Sequence, residues 1–241
     1  MNFWLMAALN SLILMGCAIG TSFKSSYDLY RGKPNQIAYG FYVKSEKNVN
    51  PFANGVLTVG ATDGVCWIFI RGVITPDAVR AFRSASEDID RRNCLKRQVI
   101  LDSRGGNFFA SIQIGRIIRA KAYTTQLALG TDACHSACGI IFIGGAKRIV
   151  SESSFIGSAR IGLHQIAAVQ PDGSKRCLSR EDGATKTLQV YAREMLMPAA
   201  ADLFIEMVES TECTKIKTIS PRETFDSGIA TEITNRENPL L

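Results

Sequence analysis

Two segments of the 241-residue chain hold residues of the kind that make and break acyl bonds. In the first, Ala133-Cys134-His135-Ser136-Ala137-Cys138-Gly139, small side chains crowd around one hydroxyl, just ahead of the apolar run Ile140-Ile141-Phe142-Ile143. The pattern predicts a helix N-terminus at Ser136, where free N–H groups and the positive dipole end favour an anion. A serine nucleophile needs such donors, because its attack creates an oxyanion, and it needs a base to take its proton. The chain has two histidines, His135 and His164. An immediate neighbour usually points its side chain elsewhere, so His164, in Gly162-Leu163-His164-Gln165, is the better base. The second segment is Ser103-Arg104-Gly105-Gly106. Consecutive glycines after a strand allow positive φ and bring bare N–H groups close to a ligand. Read singly, each feature has a plain structural alternative: Ser136 as a helix cap, His164 as a hydrogen-bonded strand-end residue, and the glycine pair as a turn.

The elements around these segments alternate. Val65 to Ile70 is a continuous apolar run of strand length, as expected for a strand covered on both faces. Thr75-Pro76-Asp77 supplies an N-cap and an N1 proline, and Val79, Phe82 and Ile89 continue at helical spacing. Gln98 to Leu101 is a second strand that runs straight into the glycine loop. A helix follows with Ala110, Ile114, Ile117 and Ile118 on one face, then a third strand over Thr124 to Leu129. Strands and helices at this interval mean an α/β layered fold with a largely parallel sheet, and in such folds ligands sit where strands end and loops enter helices. With 46% hydrophobic and 21% charged residues the chain can bury a sizeable core, which excludes a disordered tail or a disulfide-only miniprotein. The net charge of +6 is spread thinly, without the dense basic stripe a nucleic-acid partner requires.

The N-terminus reads as an export signal. Met1 to Gly20 carries no charged side chain, and its apolar stretch from Phe3 to Met15 suits a secretory h-region and is short for a membrane span. It ends Leu14-Met15-Gly16-Cys17, which resembles the lipobox of bacterial lipoproteins, with Cys17 lipidated. An ordinary signal peptide cut near Gly16 or Gly20, or an uncleaved anchor, is the alternative. Without Cys17 six cysteines remain, an even number that fits an oxidising compartment. Cys134 and Cys138, at i and i+4 on a helical turn, come within disulfide reach, at a Cα spacing of about 6 Å. A metal held by Cys134, Cys138, His135 and His164 is the competing reading. Residues 21–60 read as a tether and N-terminal decoration, and 236–241 as a tail.

Taken in order, these motifs resemble the Clp protease proteolytic subunit and signal peptide peptidase superfamily. The resemblance runs over Asp102-Ser103-Arg104-Gly105-Gly106, Ser136-Ala137, Gly144-Gly145-Ala146-Lys147-Arg148, Ile161-Gly162-Leu163-His164-Gln165, Tyr191 to Leu196, and Ile219 to Ala230. It is closest to exported, stand-alone members with a Cys-x-Ser-Ala-Cys motif. It implies a ClpP/crotonase-like domain over residues 61–235, built of repeated β-β-α units with a long handle helix around Tyr191. It further implies a serine peptidase without cofactor or metal, acting on peptide or protein substrates by an acyl-enzyme. Ser136 would be the nucleophile, His164 the base, and the N–H groups of Gly105 or Gly106 and of Ala137 the oxyanion donors. Homo-oligomerisation is implied in the same way. With the export signal, the expected location is a bacterial envelope, in the periplasm and held to a membrane by an N-terminal lipid or anchor.

The chain departs from the family pattern at two points. The orienting aspartate's position falls on Ile216; Glu212 is the nearest upstream carboxylate, with Asp202, Glu206 and Asp226 as others. Arg104 replaces the family's proline in the glycine loop. A catalytically inactive scaffold or binding protein therefore stands beside the peptidase reading. With the handle helix so placed, Cys177 is expected to pair with Cys213 across it, which leaves Cys66 with Cys94, and Pro171 to Gly183 becomes a surface loop beside the site.

Overall fold

The computed structural model describes residues 48–52, 55–128, 134–152 and 160–234. The expected signal segment with Cys17, most of the tether and the tail lie outside the described residues. Twelve strands and six helices follow one another in these stretches. Strands β1 (Asn48–Phe52), β2 (Gly55–Thr62), β3 (Val65–Gly72), β4 (Lys96–Asp102), β5 (Thr124–Leu127), β7 (Lys147–Ser151) and β12 (Glu232–Thr234) form a seven-stranded sheet in the order β1-β2-β3-β4-β5-β7-β12. Pairing is antiparallel from β1 to β3 and parallel from β3 to β12. The sheet thus begins before the expected boundary at residue 61. The Asn and Pro punctuation of 48–52 hides an edge strand, where prolines are tolerated.

The central strands are apolar on both faces because helices cover them. Ile68, Ile70, Val99 and Leu101 are fully or almost fully buried. Helix α1 (Pro76–Asp90) starts at Pro76, with Thr75 extended at the N-cap and making no side-chain cap bond, and it buries Ala78, Val79, Phe82 and Ile89. Helix α2 (Phe108–Ala120) is capped by Asn107, whose side chain accepts from the Ala110 N–H. Helix α3 (Ala137–Ile143) is buried throughout. Its neighbour α2 approaches at Gly115, where an added Cβ would stand 1.8 Å from the Tyr191 hydroxyl. A Cβ on Gly144, at the end of α3, would stand 2.6 Å from the Gly115 backbone.

A second, three-stranded sheet carries the chemistry-bearing segments. Strand β6 (Cys134–His135) lies parallel to β8 (Ile161–Leu163), and β11 (Lys217–Ile219) lies antiparallel on the other side of β8. The hairpin β9 (Ala167–Val169) with β10 (Lys175–Cys177) follows β8. The handle segment is two helices, α4 (Gly183–Met195) and α5 (Pro198–Glu209), before the short α6 (Pro221–Asp226). Pro198 separates the two: it forces Met197 out of the helical region and occupies the first position of the next helix. Three disulfides join Cys66 to Cys94, Cys134 to Cys138 and Cys177 to Cys213.

Candidate active site

The glycine loop is held from both sides. Ser103 bridges to Cys134, and its carbonyl accepts the His135 N–H at 3.0 Å. On the other side Ile74 donates to the Gly105 carbonyl at 2.9 Å and accepts from the Asn107 N–H at 2.6 Å. Gly105 has φ of 100° and Gly106 of 146°. A Cβ on Gly106 would stand 2.1 Å from the Ile74 carbonyl oxygen, and one on Gly105 2.8 Å from Ser136 Cβ and 3.1 Å from the Ala137 nitrogen. Both positions need glycine on conformational and steric grounds.

Ser136 makes the turn from β6 into α3 with φ of 53° and ψ of −119°. This left-handed placement of a residue with a side chain costs on the order of 1–3 kcal/mol and is held only where the surroundings over-determine it. Here its N–H donates to the Gly162 carbonyl at 2.7 Å, its carbonyl accepts from Gly139, and the Cys134–Cys138 disulfide closes the turn at a Cα spacing of 5.1 Å. Ser136 is the N-cap residue of α3, but its side chain makes no cap bond. A strained serine at a sharp strand-to-helix turn is the geometry that exposes a nucleophilic hydroxyl.

The pairing of β6 with β8 relates the two candidate residues. His135 pairs with Gly162 in parallel strands, which lie about 4.8 Å apart. Ser136 is one residue beyond that pair on β6 and His164 two beyond it on the β8 side. The half-buried His164 ring has Nδ1 at 2.6 Å from the Gln165 carbonyl oxygen. A carbonyl only accepts, so Nδ1 donates the proton and Nε2 carries the free lone pair. His135 is placed differently, its ring packed where a Gly162 side chain would be.

Of the two glycine amides, that of Gly105 is committed: it donates to Ser103 Oγ at 3.0 Å. Ser103 Oγ donates in turn to the Gly72 carbonyl at 2.6 Å. Among the described residues, the N–H groups of Gly106 and Ala137 have no acceptor. Glu212 makes its ion pair with Lys215 at 2.9 Å. It lies exposed after α5, and hydrogen bonds from Lys215 and then Thr214 hold its carboxyl below the usual range. Among the described residues no carboxylate hydrogen-bonds His164. Asp202 is paired with Arg193. Ile216 occupies the place the family pattern gives to an aspartate: continuing the Lys217–Leu163 pair by one step sets it against His164, and a Cβ added to Gly162 would stand 2.7 Å from its Cγ2.

The metal reading has lost its thiolates, because Cys134 and Cys138 are bonded to each other. Two contributors escaped the sequence. Ser103 belongs to the quoted loop, but nothing in its spacing marks it as the partner of the Gly105 amide. The Gln165 contribution is a backbone carbonyl, for which sequence carries no signal.

Solved structures resemble this fold. A membrane-bound stomatin-specific protease, in a serine-to-alanine form, superposes with a TM-score of 0.56 at 18% identity, over 72% of this chain and 79% of that one. Its lysine-to-alanine form, in complex with a substrate peptide, gives 0.56 at 18% over 72% and 74%. The ClpP protease catalytic domain of Plasmodium falciparum gives 0.50 at 14%, over 71% and 86%. The chain has a ClpP-like fold. No family model and no curated protein matches its sequence.

Proposed function

We propose that the chain is an exported serine peptidase of the ClpP-like fold, with Ser136 as nucleophile and His164 as general base. The observation that carries this reading is the strained Ser136 turn packed against Gly105. In the reaction, Ser136 Oγ adds to the substrate carbonyl as its proton passes to His164 Nε2. The developing oxyanion is received by the Gly106 and Ala137 N–H groups, each such donor being worth about 3–4 kcal/mol. The C–N bond breaks as His164 returns that proton to the leaving amine. Water, deprotonated by the same nitrogen, then cleaves the acyl-serine and restores both groups.

The export half of the proposal rests on the N-terminal pattern and on the three disulfides, which persist in oxidising compartments. Lipidation at Cys17, a periplasmic location and homo-oligomerisation through α4 and α5 belong to the same proposal. No helix among the described residues is long and apolar enough to cross a membrane. A fluorophosphonate probe should label the wild type at Ser136 and leave Ser136→Ala unlabelled. Folded wild-type protein that resists the probe would favour the second reading, an inactive scaffold, which Ile216 in the aspartate's place supports.

A further inference from the structure

A groove of about 510 Å³ opens between α1 and α2, lined among others by Pro76, Val79, Arg80, Arg83, Asn107 and Phe109. Asn107 directly follows Gly106, so the groove begins where the glycine loop ends. From Gly105, packed on Ser136, to Asn107 is two residues, at most about 7.6 Å between Cα atoms. An extended peptide advances about 3.3 Å per residue, so two or three substrate residues bridge the distance from the scissile carbonyl to the groove.

The charges here are unbalanced. Arg80 is occupied by Asp77 at 2.8 Å. Arg83 and Arg104, both exposed, have no ion pair among the described residues. Asp102, the carboxylate nearest Arg104 in the chain, is taken by Arg71 at 3.3 Å. A similar groove between α4 and α5 has no excess of cations, because Arg180 pairs with Glu209, Arg193 pairs with Asp202, and Glu206 adds a third carboxylate. Apolar surface shares the groove with Arg83: Phe109 is 56% exposed. We infer that the α1–α2 groove, with Arg83 inside it and Arg104 on the approach from Ser136, is a substrate subsite for a carboxylate-bearing side chain of an extended peptide. This deepens the peptidase reading and rests on it.

The test uses two matched quenched peptides with Glu or Lys at the second and third positions on both sides of the cleaved bond. Wild type should favour the Glu peptide in kcat/KM by about tenfold or more, the range of one charge-assisted contact. Arg83→Glu should remove that preference in protein whose circular dichroism matches that of the wild type. Binding of the same peptides to Ser136→Ala protein, followed by fluorescence anisotropy, should show the same ratio, lost in Ser136→Ala/Arg83→Glu and in Ser136→Ala/Arg104→Glu. Equal handling of the two peptides, or a ratio untouched by charge reversal, overturns the subsite. If no peptide is cleaved, the peptidase reading fails, and the binding ratio still decides whether the groove selects carboxylates.

Discussion

His164 donates from Nδ1 to the carbonyl oxygen of Gln165, its own chain neighbour, across 2.6 Å. That bond does what an orienting carboxylate does for tautomer choice, since it leaves Nε2 unprotonated, but it adds no negative charge to stabilise an imidazolium. Glu212 is paired with Lys215 at 2.9 Å. Glu212→Gln should therefore leave kcat within about twofold of wild type, against the loss of about 10⁴ that follows disabling a triad aspartate. Steady-state kinetics on a cleavable peptide ester decides it, and a loss near the larger figure returns Glu212 to the site.

The contrast between these residues shows where sequence reading reaches and where it stops. The continuous apolar runs that became β3 and β4 announce a sheet covered on both faces, and their order with the helices gives the α/β layers. Ser136 and the Gly105-Gly106 pair stand out because their chemistry lies in residue type. The partner of His164 does not, because every residue owns a carbonyl and only the turn after β8 aims this one. Strand β6, two residues long, is equally silent in periodicity; it exists because His135 and Cys134 find backbone partners on Ser103 and Gly162. The edge strand β1 and its neighbour β2 were hidden by Asn, Gly and Pro, which read as loop until a neighbouring strand supplies the ladder.

Gly106→Ala tests the oxyanion assignment. The new Cβ would meet the Ile74 carbonyl oxygen at 2.1 Å, at a φ of 146° that side-chain-bearing residues rarely adopt, so the loop must shift. Turning one donor away should lower kcat by about 10²–10³ with a smaller change in KM. Circular dichroism and thermal melts separate this from unfolding. A folded variant with wild-type kcat would place the oxyanion elsewhere.

The three disulfides should separate into two roles. Cys134–Cys138 encloses Ser136 in a loop of about five residues, for which chain entropy gives about 2 kcal/mol. Both of its sulfurs belong to buried residues. Cys134→Ala/Cys138→Ala should lower the melting temperature and also slow fluorophosphonate labelling of Ser136, because the strained turn loses its closure. Cys66→Ala/Cys94→Ala, at the far ends of β3 and β4, should lower the melting temperature without slowing the labelling of protein that remains folded. Equal labelling rates in the two variants would show that the short disulfide only stabilises.

The position of α3, and so of Ser136 at its head, depends on a contact between three elements that is open to a double-mutant cycle. Tyr191, fully buried on α4, donates its hydroxyl to the Ile140 carbonyl on α3 at 2.9 Å, and burial pushes its phenol well above the usual tyrosine range. Tyr191→Phe leaves that carbonyl without its donor and should cost about 1–3 kcal/mol. Gly115→Ala on α2 puts a methyl 1.8 Å from the same hydroxyl oxygen and should cost a similar amount by overpacking, about 1–3 kcal/mol. The two costs share one atom. Removing the hydroxyl gives the methyl part of the room it lacks, so the double variant should be more stable than the sum of the singles predicts by about 0.5 kcal/mol or more. Urea denaturation of the four proteins measures the coupling. Strict additivity would mean that the helices part to admit the methyl, and that α3 is not fixed by the Gly115–Tyr191 contact.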